Sequence, residues 1–138
     1  MGLDLGSKTI GLAVSDPSLM IASPIETIKR AKFTADAQTL ISINAKHQIG
    51  GWVLGLPVEM SGEEGPRCQS TRQFAENFMN LSDIAIAFWD ERLSSSAVNR
   101  VLINEADMTR RRRGQVVDKM AAAYILQGAL DSLDFPKL

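Results

Sequence analysis

Residues 3–14 read Leu3-Asp4-Leu5-Gly6-Ser7-Lys8-Thr9-Ile10-Gly11-Leu12-Ala13-Val14, and this stretch decides the fold. Two apolar runs flank a Gly-Ser-Lys-Thr turn, the pattern of a β-hairpin. Strand alternation puts Asp4 on the face opposite Leu3 and Leu5. A carboxylate near a packed interior costs free energy unless its charge is compensated, and a bound cation would compensate it. A lone strand aspartate can also simply face water on the polar side of a half-buried strand. The choice depends on what else reaches that face.

Outward from the hairpin, apolar runs and turn signals alternate in an α/β pattern. Met20 to Ile28, interrupted by Pro24, predicts a third strand that is an edge or a bulged one. Thr34 is the expected N-cap of a helix with Ala37, Leu40, Ile41 and Ala45 at helical spacing, stopped by Gly50-Gly51. Trp52 to Leu56 is a short continuous apolar run, as in a strand covered on both faces. Pro57 to Gly65 forms an acidic loop, mobile around Gly62 to Gly65. Pro66 suits the first turn of a helix whose inner face is Phe74, Ala75, Phe78 and Leu81. Ile84 to Trp89 predicts another buried strand, ending in Asp90-Glu91-Arg92. A helix from about Ser94 to Asn104, an arginine-rich loop and a last helix from about Gln115 to Asp131 follow. The order β-β-β-α-β-α-β-α-α gives an α/β fold. Its mixed five-stranded sheet has three antiparallel strands, then parallel ones, and helices flank it.

A chain of 138 residues fits one domain, spanning 1–138, with a real core. Apolar residues make up 45% and charged residues 22%, ordinary values for a globular protein. No apolar run approaches the ~20 residues of a membrane span, and Asp4 and Lys8 interrupt anything like a signal peptide. The single cysteine, Cys68, excludes a disulfide framework and a zinc set within one chain. A cytoplasmic setting is expected. The net charge of −1 hides an uneven distribution, with Arg110, Arg111, Arg112 and Arg113 adjacent.

Ligand sites in such sheets lie at the carboxyl ends of the parallel strands, where Glu91 is placed. Asp118 opens Val116-Val117-Asp118-Lys119-Met120-Ala121-Ala122-Ala123, and the alanines beyond it would let the helix approach the sheet. Alternatively Asp118 only complements the dipole of a helix start. Three carboxylates, Asp4, Glu91 and Asp118, from a strand, a strand end and a helix start suit a hard divalent cation, Mg²⁺ or Mn²⁺. Two such ions can bracket a phosphate during hydrolysis.

Four ordered stretches then resemble the YqgF family, the Holliday-junction-resolvase-like (RuvX) nucleases: residues 4–15, Val53-Leu54-Gly55-Leu56-Pro57, Asp90-Glu91-Arg92-Leu93-Ser94-Ser95 and Val117-Asp118-Lys119-Met120-Ala121-Ala122. The resemblance implies an RNase H-like fold. It also implies a Mg²⁺- or Mn²⁺-dependent endonuclease that matures the 5′ end of small-subunit (pre-16S) ribosomal RNA. It maps the family's acidic positions onto Asp4, Glu91 and Asp118. Two departures stand out: the chain begins only three residues before Asp4, giving a short first strand, and Ser95 replaces the family's Thr.

Lys8, Arg92 and Arg110–Arg113 are the candidate nucleic-acid contacts, with a solvated turn lysine, an Arg92 pair with Asp90 and a solvated charge run as their plainer readings. Ser94 and Ser95 are expected to cap the following helix, and Trp52 and Trp89 to lie in the core. Three functional classes compete: the metal-dependent nuclease, an ATP-binding module of the kind whose Asp-x-Gly hairpin embraces phosphate, and a non-catalytic nucleic-acid-binding protein. The ATPase class needs two such domains. Within the nuclease class, branched DNA is the alternative substrate to precursor ribosomal RNA, acted on by a monomer or a homodimer.

Overall fold

The computed structural model describes residues 1–93 and 110–133. Its elements are β1 (Gly2–Leu5), β2 (Thr9–Ser15), β3 (Ala22–Lys29), α1 (Phe33–His47), β4 (Gly51–Leu56), α2 (Pro66–Met79), β5 (Ala85–Asp90), a 3₁₀ turn (Glu91–Leu93) and α3 (Arg110–Asp131). The sheet order is β3-β2-β1-β4-β5. β1, β2 and β3 pair antiparallel, and β4 and β5 join parallel to β1. The expected mixed five-stranded sheet is therefore present. The helix expected from about Ser94 to Asn104 lies outside the described residues.

Alternation along the strands sorts the side chains into two layers. Leu3, Leu5, Ile10, Leu12, Trp52 and Leu54 face α1 and α2, where Leu40, Phe74 and Phe78 complete the main core. Ala13 faces the other way and packs with Ala122, Leu126 and Leu130 of α3. Trp52 is fully buried and its indole N–H donates to Asn44 Oδ1 at 2.8 Å, so it is a core residue as expected. Among the described residues no helix is long and apolar enough to cross a membrane.

β3 is an edge strand, and the register slips from Leu12–Glu26 to Ala13–Pro24, which leaves Ile25 as the extra residue of a bulge. Four expectations need correction. The N-cap of α1 is Lys32, not Thr34, because the Asp36 carboxylate accepts the Ala31 N–H at 2.9 Å and secures the helix start from inside. The helix ends at Gln48, which takes the left-handed conformation (φ 52°) before the glycines are reached. Leu81 is exposed, since α2 has already stopped at Met79. β5 is the other edge of the sheet, with Ala85 and Ala87 exposed, so its apolar run does not mark a strand covered on both faces.

The largest correction concerns the last helix. It is described from Arg110, so the four arginines are helical and not a loop, and Asp118 lies well inside the helix and is not a helix-start acid. Its backbone lies on the sheet because the floor there is glycine. A Cβ built on Gly11 would stand 2.0 Å from the Asp118 carbonyl oxygen, and one on Gly2 would stand 2.7 Å from that of Ala122. Gly11→Ala must therefore push α3 off the sheet, a loss of ~1–3 kcal/mol or more by the usual cost of overpacking. Gly50→Ala, with nothing within 4 Å of the new methyl, should change stability by less than about 0.5 kcal/mol. Urea denaturation of the two variants checks this, and equal midpoints would refute the close approach.

Candidate active site

β1 sits in the middle of the sheet and turns Asp4 away from Leu3 and Leu5, toward the α3 face. Asp4 pairs in register with Gly11, the residue beneath Asp118. Beyond β4 and β5, the 3₁₀ turn folds Glu91 back over the sheet. A Cβ on Gly55 would lie 2.8 Å from Glu91 Cγ, so glycine clears the space that Glu91 occupies. Glu91 is almost fully buried and Asp4 partly so.

The two carboxyl groups share a side-chain hydrogen bond. Burial, the Glu91 hydrogen bond, the Glu91 charge and the Asp118 charge, in that order, push the Asp4 pKa up to about 8, against a smaller pull from Arg67. At neutral pH this favours a proton on Asp4, within its hydrogen bond to Glu91. Asp118 accepts a short hydrogen bond from the Thr9 hydroxyl at the far side of the hairpin turn. All three acids thus act on one face, Asp4 with Glu91 directly and Asp118 through its field.

Among the described residues no group of three His, Cys, Asp or Glu side chains stands close enough to hold an ion as it is. What the structure brings together is the hydrogen-bonded Asp4–Glu91 pair, with Asp118 held by the Thr9 hydroxyl. An all-oxygen donor set, partly buried and with one member forced to keep its proton, fits a hard divalent cation.

The expected nucleic-acid contacts fare unevenly. Lys8 is exposed in the β1–β2 turn, beside Asp4 in sequence. Arg92 is engaged by Asp90, which accepts from its Nε at 2.9 Å and its Nη2 at 2.6 Å, and this pairing holds the Asp90 carboxyl below its usual range. Arg110–Arg113 lie eight to five residues before Asp118 on the same helix. Ser94 and Ser95 lie outside the described residues. Trp89 is partly buried beneath α3, where a Cβ on Gly128 would meet its Nε1 at 2.8 Å.

Arg67 escaped the sequence reading. It follows Pro66 at the start of α2, and it is the cation whose charge reaches Asp4. Only the crossing of β4 brings the α2 start beside β1, so no spacing in the sequence announced it.

The model of the RuvX family, described as Holliday junction resolvase, matches residues 1–132. A Paramagnetospirillum magneticum protein named "Putative pre-16S rRNA nuclease" is 65% identical over 132 residues, covering 96% of this chain and 84% of that one. A Rhodospirillum rubrum protein of the same name is 62% identical over 134 residues, covering 97% and 83%. Among solved structures, Thermus thermophilus RuvC in complex with a Holliday junction substrate superposes with a TM-score of 0.56 at 13% identity, covering 94% of this chain and 91% of that one. The fowlpox virus resolvase with its junction DNA gives 0.52 at 10% identity, covering 94% and 96%. These two likenesses concern the fold, which is RNase H-like, as the resemblance implied.

The pH dependence of stability follows from Asp4. An unfolded chain releases this proton near pH 4, whereas the folded protein holds it up to about 8. Between those limits each rise in pH favours the unfolded state; below them there is no penalty, and above them it is complete. Metal-free protein should lose stability from pH 5 to 8. Asp4→Asn, which can still donate to Glu91, should exceed the parent by ~1–3 kcal/mol at pH 8 and by little at pH 4. Urea titrations at both pH values check it, and equal stability at pH 8 would contradict the buried proton.

Proposed function

The chain belongs to the RuvX family, and from that premise we propose that it is a divalent-metal-dependent endonuclease, one domain from 1 to 138, acting in the cytoplasm on the 5′ end of precursor 16S ribosomal RNA. The observation that carries this reading is the mutual electrostatic contact of Asp4, Glu91 and Asp118 on one face of the central strands. The names of the relatives supply the substrate.

Asp4, Glu91 and Asp118 are the residues that would hold Mg²⁺ or Mn²⁺. Once bound, such an ion neutralises phosphate charge and lowers the pKa of water, the two demands of phosphodiester hydrolysis. The chain's own residues prepare for it. Burial and Glu91 keep a proton on Asp4, and that proton must leave before Asp4 can present both oxygens. Thr9 orients Asp118 from across the hairpin and would retain one carboxylate oxygen while the other turns to the site. Gly11 and Gly55 let α3 and Glu91 come down onto the sheet, which fixes the spacing of the acids to within what packing allows.

Positive charge meets the substrate elsewhere. Arg110–Arg113 form an unbroken run of positive charge on α3, five to eight residues before Asp118, and a phosphate backbone would neutralise it. Lys8 offers a further charge at the hairpin. Arg92, already bound bidentately by Asp90, is a weaker contact than its sequence position suggested.

Asp118→Asn keeps size and hydrogen-bonding shape but removes charge. Cleavage of a precursor-RNA substrate with Mg²⁺ or Mn²⁺ should fall by at least ~100-fold while RNA affinity changes little. Replacing Arg111 and Arg112 by Ala should weaken binding and flatten its salt dependence, with the rate of saturated enzyme largely retained. Running the same assay on a four-way DNA junction separates the two substrates. An Asp118→Asn protein that cuts like the parent would overturn the acidic site.

A further inference from the structure

Beside the acidic cluster, a cavity of ≈ 360 Å³ opens between the β1–β2 turn and the first half of α2. Gly6, Ser7, Arg30, Arg67 and Ser70 line it, and no carboxylate does. Arg30 is fixed there, with Nη1 donating to the Gly6 carbonyl at 2.7 Å and its guanidinium 5.9 Å from the centre of the Phe74 ring. Among the described residues neither arginine forms an ion pair; the two pairs present are Arg72–Glu64 and Arg92–Asp90. Arg67 is exposed, and its charge still reaches Asp4.

Two guanidinium groups and the hydroxyls of Ser7 and Ser70 around one concavity, with no carboxylate in its lining, make a receptor for a tetrahedral oxyanion. Its position matters as much as its charge. Gly6, in the turn just past β1, is two residues beyond Asp4 and so at most roughly 7 Å from it along the chain, within one nucleotide step of backbone. We propose that this cavity binds the backbone phosphate next to the one being cut, with Arg67 and Ser70 as direct contacts and Arg30 as a fixed charge. The word "next" rests on the nuclease reading; the phosphate site itself does not. Such a contact sets the register of the strand over the acids and reads no base.

Fluorescence anisotropy of an RNA oligonucleotide in EDTA, where nothing is cut, tests the site. Arg67→Ala should weaken binding ~5–10-fold and lower the salt slope by about one unit. Lys46→Ala, an exposed cation in the last turn of α1 that does not line the cavity, should change neither. Neutral methylphosphonate linkages, placed one at a time, should reveal one position that costs the parent several-fold and costs Arg67→Ala nothing. In cleavage assays the variant should raise KM by more than it lowers kcat. An Arg67→Ala protein with the parent's salt slope, or with the parent's full methylphosphonate profile, overturns the phosphate site whatever the enzyme cuts. A parent that cuts no nucleic acid with any divalent ion, yet shows the Arg67-dependent linkage, overturns the nuclease and leaves the phosphate site standing.

Discussion

The contact of the α3 backbone with a glycine floor is the constraint on which the site depends. With Cβ room of only 2.0 Å above Gly11 and 2.7 Å above Gly2, the helix can sit where it does only because neither strand residue has a side chain. That approach puts Asp118 within hydrogen-bonding reach of Thr9 and within the electrostatic reach of Asp4. Gly55 does the same for Glu91 on the neighbouring strand. Three acids from β1, the turn after β5 and the third turn of α3 thus share one face, although 113 residues lie between Asp4 and Asp118. A methyl on the floor would separate them before it touched any of them.

Charge is partitioned accordingly. Two acids at the surface are matched: Glu64 accepts from Arg72 at 2.6 Å, and Asp90 from Arg92 at 2.6 Å. Such exposed pairs add little stability, but they take two carboxylates and two guanidinium groups out of play. Among the described residues three acids gather on the α3 face of the sheet, while Arg30 and Arg67 stand without an ion pair around the β1–β2 turn and the start of α2. A net charge of −1 conceals this segregation completely. The buried acids destabilise the metal-free fold, as the proton retained by Asp4 shows. Stability given up at one place is what a site built to receive charge requires.

Much of the architecture was legible because it is written in short-range pattern. The hairpin turn, the interrupted edge strand with Pro24, Pro66 at a helix start and the alternation that isolates Asp4 are all local signals, and each is found in the fold. The errors each have their own physical cause. Asp36 sets the start of α1 by bonding Ala31, so Thr34 is not needed as a cap. β5 has a core-like composition but lies at the sheet edge, a matter of strand order that periodicity does not encode. Arginine is a good helix former, and a run of four was read as loop only because charge runs usually are. Asp4, Glu91 and Asp118 could be grouped from the sequence as one expected set of acids, whereas the shared cavity of Arg30 and Arg67 could not be foreseen. They come from the end of β3 and the start of α2, and only the parallel crossover through β4 brings them to one cavity.

The corrected start of α3 changes how binding and chemistry are connected. Had Arg110–Arg113 formed a loop, their charge would be tethered loosely to the site. On a continuous helix, eight residues separate Arg110 from Asp118, about 12 Å at 1.5 Å per residue. The same rigid element therefore carries a strongly basic end and an acidic residue over the sheet. Gly11 fixes how closely that element lies on β2, so the arginine run and the carboxylate keep one spacing, set by helix geometry rather than by a loop.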